Sequence, residues 1–229
     1  MTTVQVVEKV LYNVALAGAA IYLLTQVRKP DRWAGRLFTW IMNMSHSSLT
    51  DWGLQHVQVG KDFTILDVGC GGGRTIQKLA AMASEGTLYG VDYATGSVAA
   101  SRSKNAELIR AGRVEIKQGT VSALPFADAS FDLVTAVETQ YYWPDLEKGM
   151  WEILRVLKPG GRLVVILESY RKGAYNAVQW PVMKALKASN LSVEEHRELF
   201  FRAGYVAVEV FEERSKGWFC GVGRKGLAD

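Results

Sequence analysis

Only two cysteines, Cys70 and Cys220, occur in 229 residues, with three histidines and five prolines. Two distant thiols exclude a disulfide-stapled secreted scaffold and point to a reduced, intracellular chain. There is no C-x-x-C pair and no Cys/His grouping at zinc spacing, so no metal site is expected. Runs of like charge are missing as well. The 27 Lys and Arg against 23 Asp and Glu leave a formal charge of +4, spread along the chain, which excludes a basic nucleic-acid arm and says little else about partners. Long apolar runs are scarce, with one exception near the N-terminus. Residues 10–27, VLYNVALAGAAIYLLTQV, carry no charge and approach the roughly 20 residues that a helix needs to cross a bilayer. Asn13, Gly18, Thr25 and Gln26 interrupt the run, and no small-residue cleavage pattern marks a secretory signal. Two readings stand: a membrane anchor or interfacial helix, or a helix packed on the domain or on a second subunit. Arg28, Lys29 and Arg32 follow the run, so an anchor would leave the rest of the chain in the cytoplasm.

What the chain does have is a globular composition, 48% hydrophobic and 22% charged, and a repeating pattern after Pro30. FTILDVG reads as a buried strand, residues 72–83 as a helix, TLYGVDY as a second strand and residues 96–111 as one helix. RVEIKQG and FDLVTAVE are strands three and four. A helix over 146–157, a KPGG turn over 158–161 and the strand RLVVILES follow. Strands over 206–212 and 217–222, joined by ERSK, should pair as an antiparallel hairpin. The helix before them opens at Ser192 with Glu195 three residues on, a capping-box spacing, and is expected as a surface helix that carries His196. The predicted fold is α/β: a Rossmann-like, seven-stranded, mostly parallel sheet with helices on both faces and an antiparallel C-terminal hairpin. Residues 1–29 form the apolar N-terminal segment, 30–60 a helical segment contributing to a lid, and 61–229 the main domain.

The densest signal is ILDVGCGGGRT, residues 65–75, with four glycines behind a strand that holds one carboxylate, Asp67. A glycine turn between a strand and its helix lets a ligand approach bare main chain, where free amides favour negative charge. A dinucleotide fingerprint needs a glycine at the sixth position from Gly69, but Arg74 stands there; a phosphate loop needs Gly-Lys-Ser/Thr, but the chain has Gly73, Arg74, Thr75.

The run LDVGCGGGR resembles the first motif of class I S-adenosylmethionine-dependent methyltransferases. The resemblance continues in order through GVDYA, GTVSALPFADASFDLV and EILRVLKPGGRLVV, and its details are similar to the ubiquinone and menaquinone biosynthesis enzymes. It implies S-adenosylmethionine as cofactor. Gly69, Gly71 and Gly73 would admit the methionine part, and Asp67 would favour its ammonium directly or through water. Asp92 would accept hydrogen bonds from the ribose hydroxyls, with Tyr93 beside it. Where the family commonly has an Asp for adenine, this chain has Thr120, which leaves the contact to its hydroxyl or to the Val121 amide; Leu124 and Phe126 would pack around the ring or under the loop. Glu138, after the fourth strand, joins the cofactor set. Cys70, with no His beside it in sequence, is expected only to fit the loop.

For the acceptor, His46 and Glu138 are the candidate bases, and Tyr141, Tyr142, Trp143 and Trp180 the candidate walls of an apolar or aromatic pocket. The Asn/Asp-Pro-Pro-Tyr/Phe motif used on DNA-base amines is absent after strand four, where Val137, Glu138 and Thr139 stand, and the two cysteines do not suit arsenic methylation. A small organic acceptor is the favoured reading, without nucleic acid and as a monomer or homodimer. The alternatives are an RNA methyltransferase, or a non-catalytic partner subunit that kept the fold, for which the Thr120 departure is the sole support.

Overall fold

A computed structural model describes residues 47–168, 170–171 and 188–227. Helix α1 (Ser47–Leu54) leads into β1 (Thr64–Val68), α2 (Arg74–Met82), β2 (Thr87–Asp92), α3 (Thr95–Lys104), α4 (Ala106–Arg110) and β3 (Val114–Gln118). Strand β4 (Phe131–Val137), a short 3-10 turn (Gln140–Tyr142), α5 (Leu146–Val156), β5 (Leu157–Leu167), α6 (Val193–Arg202), β6 (Val206–Glu213) and β7 (Trp218–Arg224) complete it. The sheet order is β3-β2-β1-β4-β5-β7-β6, parallel except for β7, which runs antiparallel to both β5 and β6. This is the predicted seven-stranded sheet.

The strands are apolar on both faces because both are covered. On one face α1, α2 and α3 bury Leu49, Leu54, Ile76, Leu79 and Val98 against Ile65, Leu88 and Ile166. On the other, α5 and α6 bury Met150, Ile153, Val156, Leu199 and Phe200 against Val134, Val165 and Phe219. Helix α5 starts at Asp145, whose carboxylate accepts the Lys148 amide at 3.0 Å, and ends under the Lys225 ammonium, which donates to the Leu154, Arg155 and Leu157 carbonyls. The capping box at α6 is formed as its spacing predicts: Ser192 Oγ accepts the Glu195 amide and Glu195 Oε2 accepts the Ser192 amide.

Three details differ from the sequence reading. The single helix expected over 96–111 is two, α3 and α4, parted at Asn105. That side chain is buried and donates to the Gly73 and Ser101 carbonyls at 3.0 and 2.9 Å, a local tie that competes with helix continuation. The KPGG segment is not a free turn but the start of β5, with Gly160 at φ 77 and a shifted register against β4. Of the segment expected over 30–60, α1 packs on β5 and β7, with the Cys220 thiol on the Gly53 carbonyl, and supplies core rather than a wall of the cleft described below; residues 30–46, with the rest of the lid expectation, lie outside the described residues. Residues 10–27, with the anchor question they raise, lie outside the described residues. No helix among the described residues is long and apolar enough to cross a membrane.

Candidate active site

Strand order reverses between β1 and β4, because the chain moves outward from β1 through β2 to β3 and then returns to β4 on the other side. Loops leaving the C-terminal ends of β1 and β4 therefore diverge and leave a crevice. A cleft of about 460 Å³ lies there, lined by Val68 and Gly69 at the end of β1, Val91 to Tyr93 at the end of β2, Gly119 to Val121 after β3, and Thr139 and Tyr142 to Pro144 after β4. Its size suits a ligand of drug-like dimensions.

The glycine loop is built by its backbone. Gly69 and Cys70 both donate amides to the Val91 carbonyl, and Gly69, Gly71 and Gly73 all have positive φ. At Gly69 (φ 72) an added Cβ would overlap Thr139, its Cβ lying 2.6 Å away. At Gly71 (φ 48) an added Cβ would meet nothing nearer than the Gly69 carbonyl at 4.0 Å. The loop is thus closed against β4 on one side and open on the other. The Gly71 amide donates to Asp92 Oδ2 at 3.0 Å, and the Ala94 amide to Oδ1 at 2.9 Å, so Asp92 ties the loop to the start of α3 while lining the cleft. Burial raises the Asp92 carboxyl above its usual range, against the pull of the Ala94, Gly71 and Ser97 hydrogen bonds.

Asp67 is placed differently. It lies on β1 opposite Thr135 of β4, is 2% exposed, accepts the Thr135 hydroxyl at 2.7 Å, and does not line the cleft. Burial pushes its carboxyl up to about 7, with Asp92 adding repulsion and Thr135 opposing. A folded value above the unfolded one stabilises the fold at pH below about 4, and that share is lost as pH rises towards 7. Asp67→Asn keeps an acceptor for Thr135 and removes the titration. The Tm difference between variant and parent is therefore expected to move in favour of the variant between pH 4 and pH 8. A difference that stays constant in differential scanning fluorimetry contradicts this account of Asp67. The parent alone conceals the effect, because His196 titrates against it. Burial holds that imidazole down to about 4, so its share of stability is present above about 6.5 and lost as pH falls.

His196 is itself a correction: the expected surface residue is 2% exposed. Its Nδ1 lies 2.8 Å from the Ser192 carbonyl, its Nε2 lies 3.1 Å from Gln140, and its ring packs on Phe219. It braces the turn after β4, to which Ser189 adds a hydrogen bond on the Tyr141 carbonyl. Sequence reasoning missed this brace and the Asn105 tie, because each depends on a partner at least 30 residues away. Thr139, which follows Glu138 in sequence, becomes a site residue through its place in the cleft wall and its closeness to Gly69.

The structure divides the remaining candidates. Asp92, Gly69, Tyr93, Thr120, Val121, Tyr142 and Trp143 meet in the cleft. Gly71 and Gly73 shape the loop from behind. Glu138, at φ 56, does not line the cleft: its carboxylate accepts the Tyr141 hydroxyl at 3.0 Å and the Glu168 amide, joining the ends of β4 and β5. Tyr141, expected as a wall, packs in the core with its hydroxyl on Glu138 and is not among the residues lining the cleft. His46 and Trp180 lie outside the described residues. The thiol of Cys70 is buried and held well above its usual range by burial, then by Asp67 and Asp92, which suits the structural part expected of it. Phe126 packs edge-on to Tyr89 and Phe131 beneath the post-β3 loop, and Arg155 clamps that loop through Glu152, Asp128 and the Leu124 and Phe126 carbonyls. No metal-ligand cluster occurs among the described residues.

Residues 66–165 match the family described as Methyltransferase domain. A demethylmenaquinone methyltransferase of Lactococcus lactis subsp. lactis is 33% identical over 169 residues, covering 64% of this chain and 67% of that protein. The chain belongs to the class I S-adenosylmethionine-dependent methyltransferases. S-adenosylmethionine is accordingly its cofactor. A demethylmenaquinone methyltransferase of Desulfitobacterium hafniense is 35% identical over 112 residues, covering 48% of this chain and 44% of that one. The chain thus spans about half the length of curated relatives such as this one. Among solved structures, a chain from the complex of the Haloferax volcanii Trm112 methyltransferase activator with a methyltransferase matches the fold. Its TM-score is 0.73 at 22% identity, covering 85% of this chain and 96% of that one.

The residues present fit the cofactor. The cleft has a buried carboxylate for a diol, a loop open on its outer side at Gly71, and an apolar end at Val68, Val91 and Val121.

Proposed function

We propose that the chain transfers a methyl group from S-adenosylmethionine to a small organic acceptor with an apolar or aromatic body. The observation that carries this reading is the presence of Tyr142 and Trp143 in the same cleft as Asp92 and Gly69. In this reading Asp92 receives the ribose diol, Tyr93, Thr120 and Val121 border the adenine, and the loop from Gly69 to Gly73 receives the methionine part. When bound, the cofactor supplies an electrophilic methyl on a sulfonium centre. The chain's own residues do the rest by position. Tyr142, half-buried, offers a flat wall, and Trp143 and Pro144 close the end beside it.

Among the described residues the cleft wall has no His, Glu or Lys, and its one carboxylate, Asp92, already accepts two amides. Catalysis by orientation, without a strong base from these residues, favours acceptors that lose a proton readily or carry their own nucleophilic electrons, such as quinols, phenols and thiols. Two relatives named as demethylmenaquinone methyltransferases put quinols first among them. Thr120, the departure on which the non-catalytic reading rests, lines the cleft, and its hydroxyl accepts the Ser122 amide at 3.2 Å; label transfer to any acceptor would overturn that reading. The test is a screen of quinols, phenols, thiols, amines and RNA with methyl-labelled S-adenosylmethionine. Label in a quinol or phenol supports the reading, and label confined to RNA overturns it.

Tyr142→Ala is expected to lower turnover of whichever acceptor is found by about tenfold or more, through lost positioning, while S-adenosylhomocysteine affinity stays within about threefold. A half-buried ring at a cleft wall should leave Tm nearly unchanged. A loss of stability of about 3 kcal/mol or more, as for a core aromatic, would move Tyr142 from wall to core.

A further inference from the structure

We propose that the indole N–H of Trp143 donates a hydrogen bond to the adenosyl part of the bound cofactor, a reading that rests on the cofactor occupying the cleft described above. Trp143 is 7% exposed and lines that cleft with Asp92, Thr120 and Val121. Its Nε1 is buried without a hydrogen-bond partner among the described residues. A buried indole N–H without an acceptor is rare, because the donor has left water and gained nothing in return.

The ring is held closely on the side of α5. Its six-membered ring packs on α5 so closely that a Cβ at Gly149 would lie 2.8 Å from Cε3, and the opposite edge of an indole carries Nε1. The donor edge therefore faces away from α5. The backbone beneath it is fixed too: the Trp143 amide donates to the Gln140 carbonyl at 3.2 Å, and Gln140 is held by His196 and by the Met150 sulfur. Among the described residues the other buried side-chain polar atoms without partners belong to His56, Asn105, Asn190 and Arg224, none of which lines the cleft. An adenosyl group brings what this edge lacks, since its ring nitrogens and ribose oxygens are acceptors, and its expected neighbours Asp92, Thr120 and Val121 share the cleft with Trp143.

The test titrates S-adenosylhomocysteine into the full chain, by calorimetry and by nuclear magnetic resonance with the tryptophan side chains labelled with nitrogen-15. Trp143→Phe, which keeps an aromatic ring and removes the donor, identifies the Trp143 signal by its loss; Trp143→Tyr serves if the Phe variant does not fold. The expected results are a downfield move and slower exchange of that indole proton on binding, and affinity about five- to tenfold weaker in the variant. Binding to the parent that leaves the Trp143 signal unmoved, or equal affinity in parent and folded variant, overturns the proposal. If the parent itself binds no S-adenosylhomocysteine, the assignment of the cleft fails, and this proposal fails with it.

Discussion

Asp92→Ala is expected to weaken S-adenosylhomocysteine binding by about a hundredfold or more, while the protein still folds. Asp92 is 7% exposed at the end of β2, so a hydrogen bond to its carboxylate is little diluted by solvent. Two charge-assisted bonds from a ribose diol, at roughly 1.5 to 3 kcal/mol each, exceed the roughly 2.8 kcal/mol that a hundredfold represents. The same carboxylate accepts the Gly71 and Ala94 amides, so its loss also loosens the loop and adds to the effect. Stability should change less than affinity, because removing a carboxylate that burial disfavours offsets part of the loss of those two bonds. Asp92→Asn, which keeps one carbonyl oxygen, should fall between parent and Ala variant. Calorimetry read beside thermal unfolding separates the two effects. Affinity within threefold of the parent in a folded Asp92→Ala protein contradicts the assignment.

Gly69→Ala should be the most damaging single methyl in the loop. The residue has φ 72, where a Cβ costs roughly 1 to 2 kcal/mol, and the new methyl would overlap Thr139. Thr139 cannot retreat cheaply, because it leads into the turn that carries Tyr142 and Trp143 and that Gln140, Ser189 and His196 hold in place. Strain and overpacking together should cost about 3 kcal/mol, a fall in Tm on the order of 10 °C for a chain of this size, with cofactor binding lost because the turn has to move. Gly71→Ala provides the contrast. Its backbone is as strained, at φ 48, but its methyl would enter open space, so about 1 kcal/mol is expected. Equal Tm values for the two variants in a calorimetric scan would contradict the contact between Gly69 and Thr139.

The parts of the protein legible in its sequence are those that local chemistry decides. Apolar strands broken by glycine turns announce a parallel sheet covered on both faces, and Ser192 with Glu195 announces a helix start that the structure forms to the atom pair. The glycine loop and Asp92 follow from their place at strand ends, so that side of the cleft could be outlined in advance. Distant contacts were out of reach. Asn105 splits a helix because its amide is drawn to the Gly73 carbonyl as well as to Ser101, and the Gly73 partner lies 32 positions away. His196 reads as a surface residue on a helix rich in charge until Phe219 and Gln140 arrive from elsewhere to bury it. Tyr141, Tyr142 and Trp143 look alike as a run of aromatics. The 3-10 turn then points Tyr141 into the core beside Glu138 and leaves Tyr142 and Trp143 on the cleft. Asp67 and Asp92 likewise both end strands after apolar runs, and only their surroundings make one a buried strut bonded to Thr135 and the other a wall of the cleft.

The cleft at the C-terminal ends of β1, β2 and β4 is the proposed seat of the adenosyl cofactor. Titration of S-adenosylhomocysteine into the full chain by isothermal calorimetry, with Asp92→Ala run beside it, tests this most directly. Saturable binding of one molecule per chain is expected for the parent, with affinity at least about a hundredfold weaker in the variant. Parent and folded variant binding alike, or a parent that takes up no ligand, would contradict it.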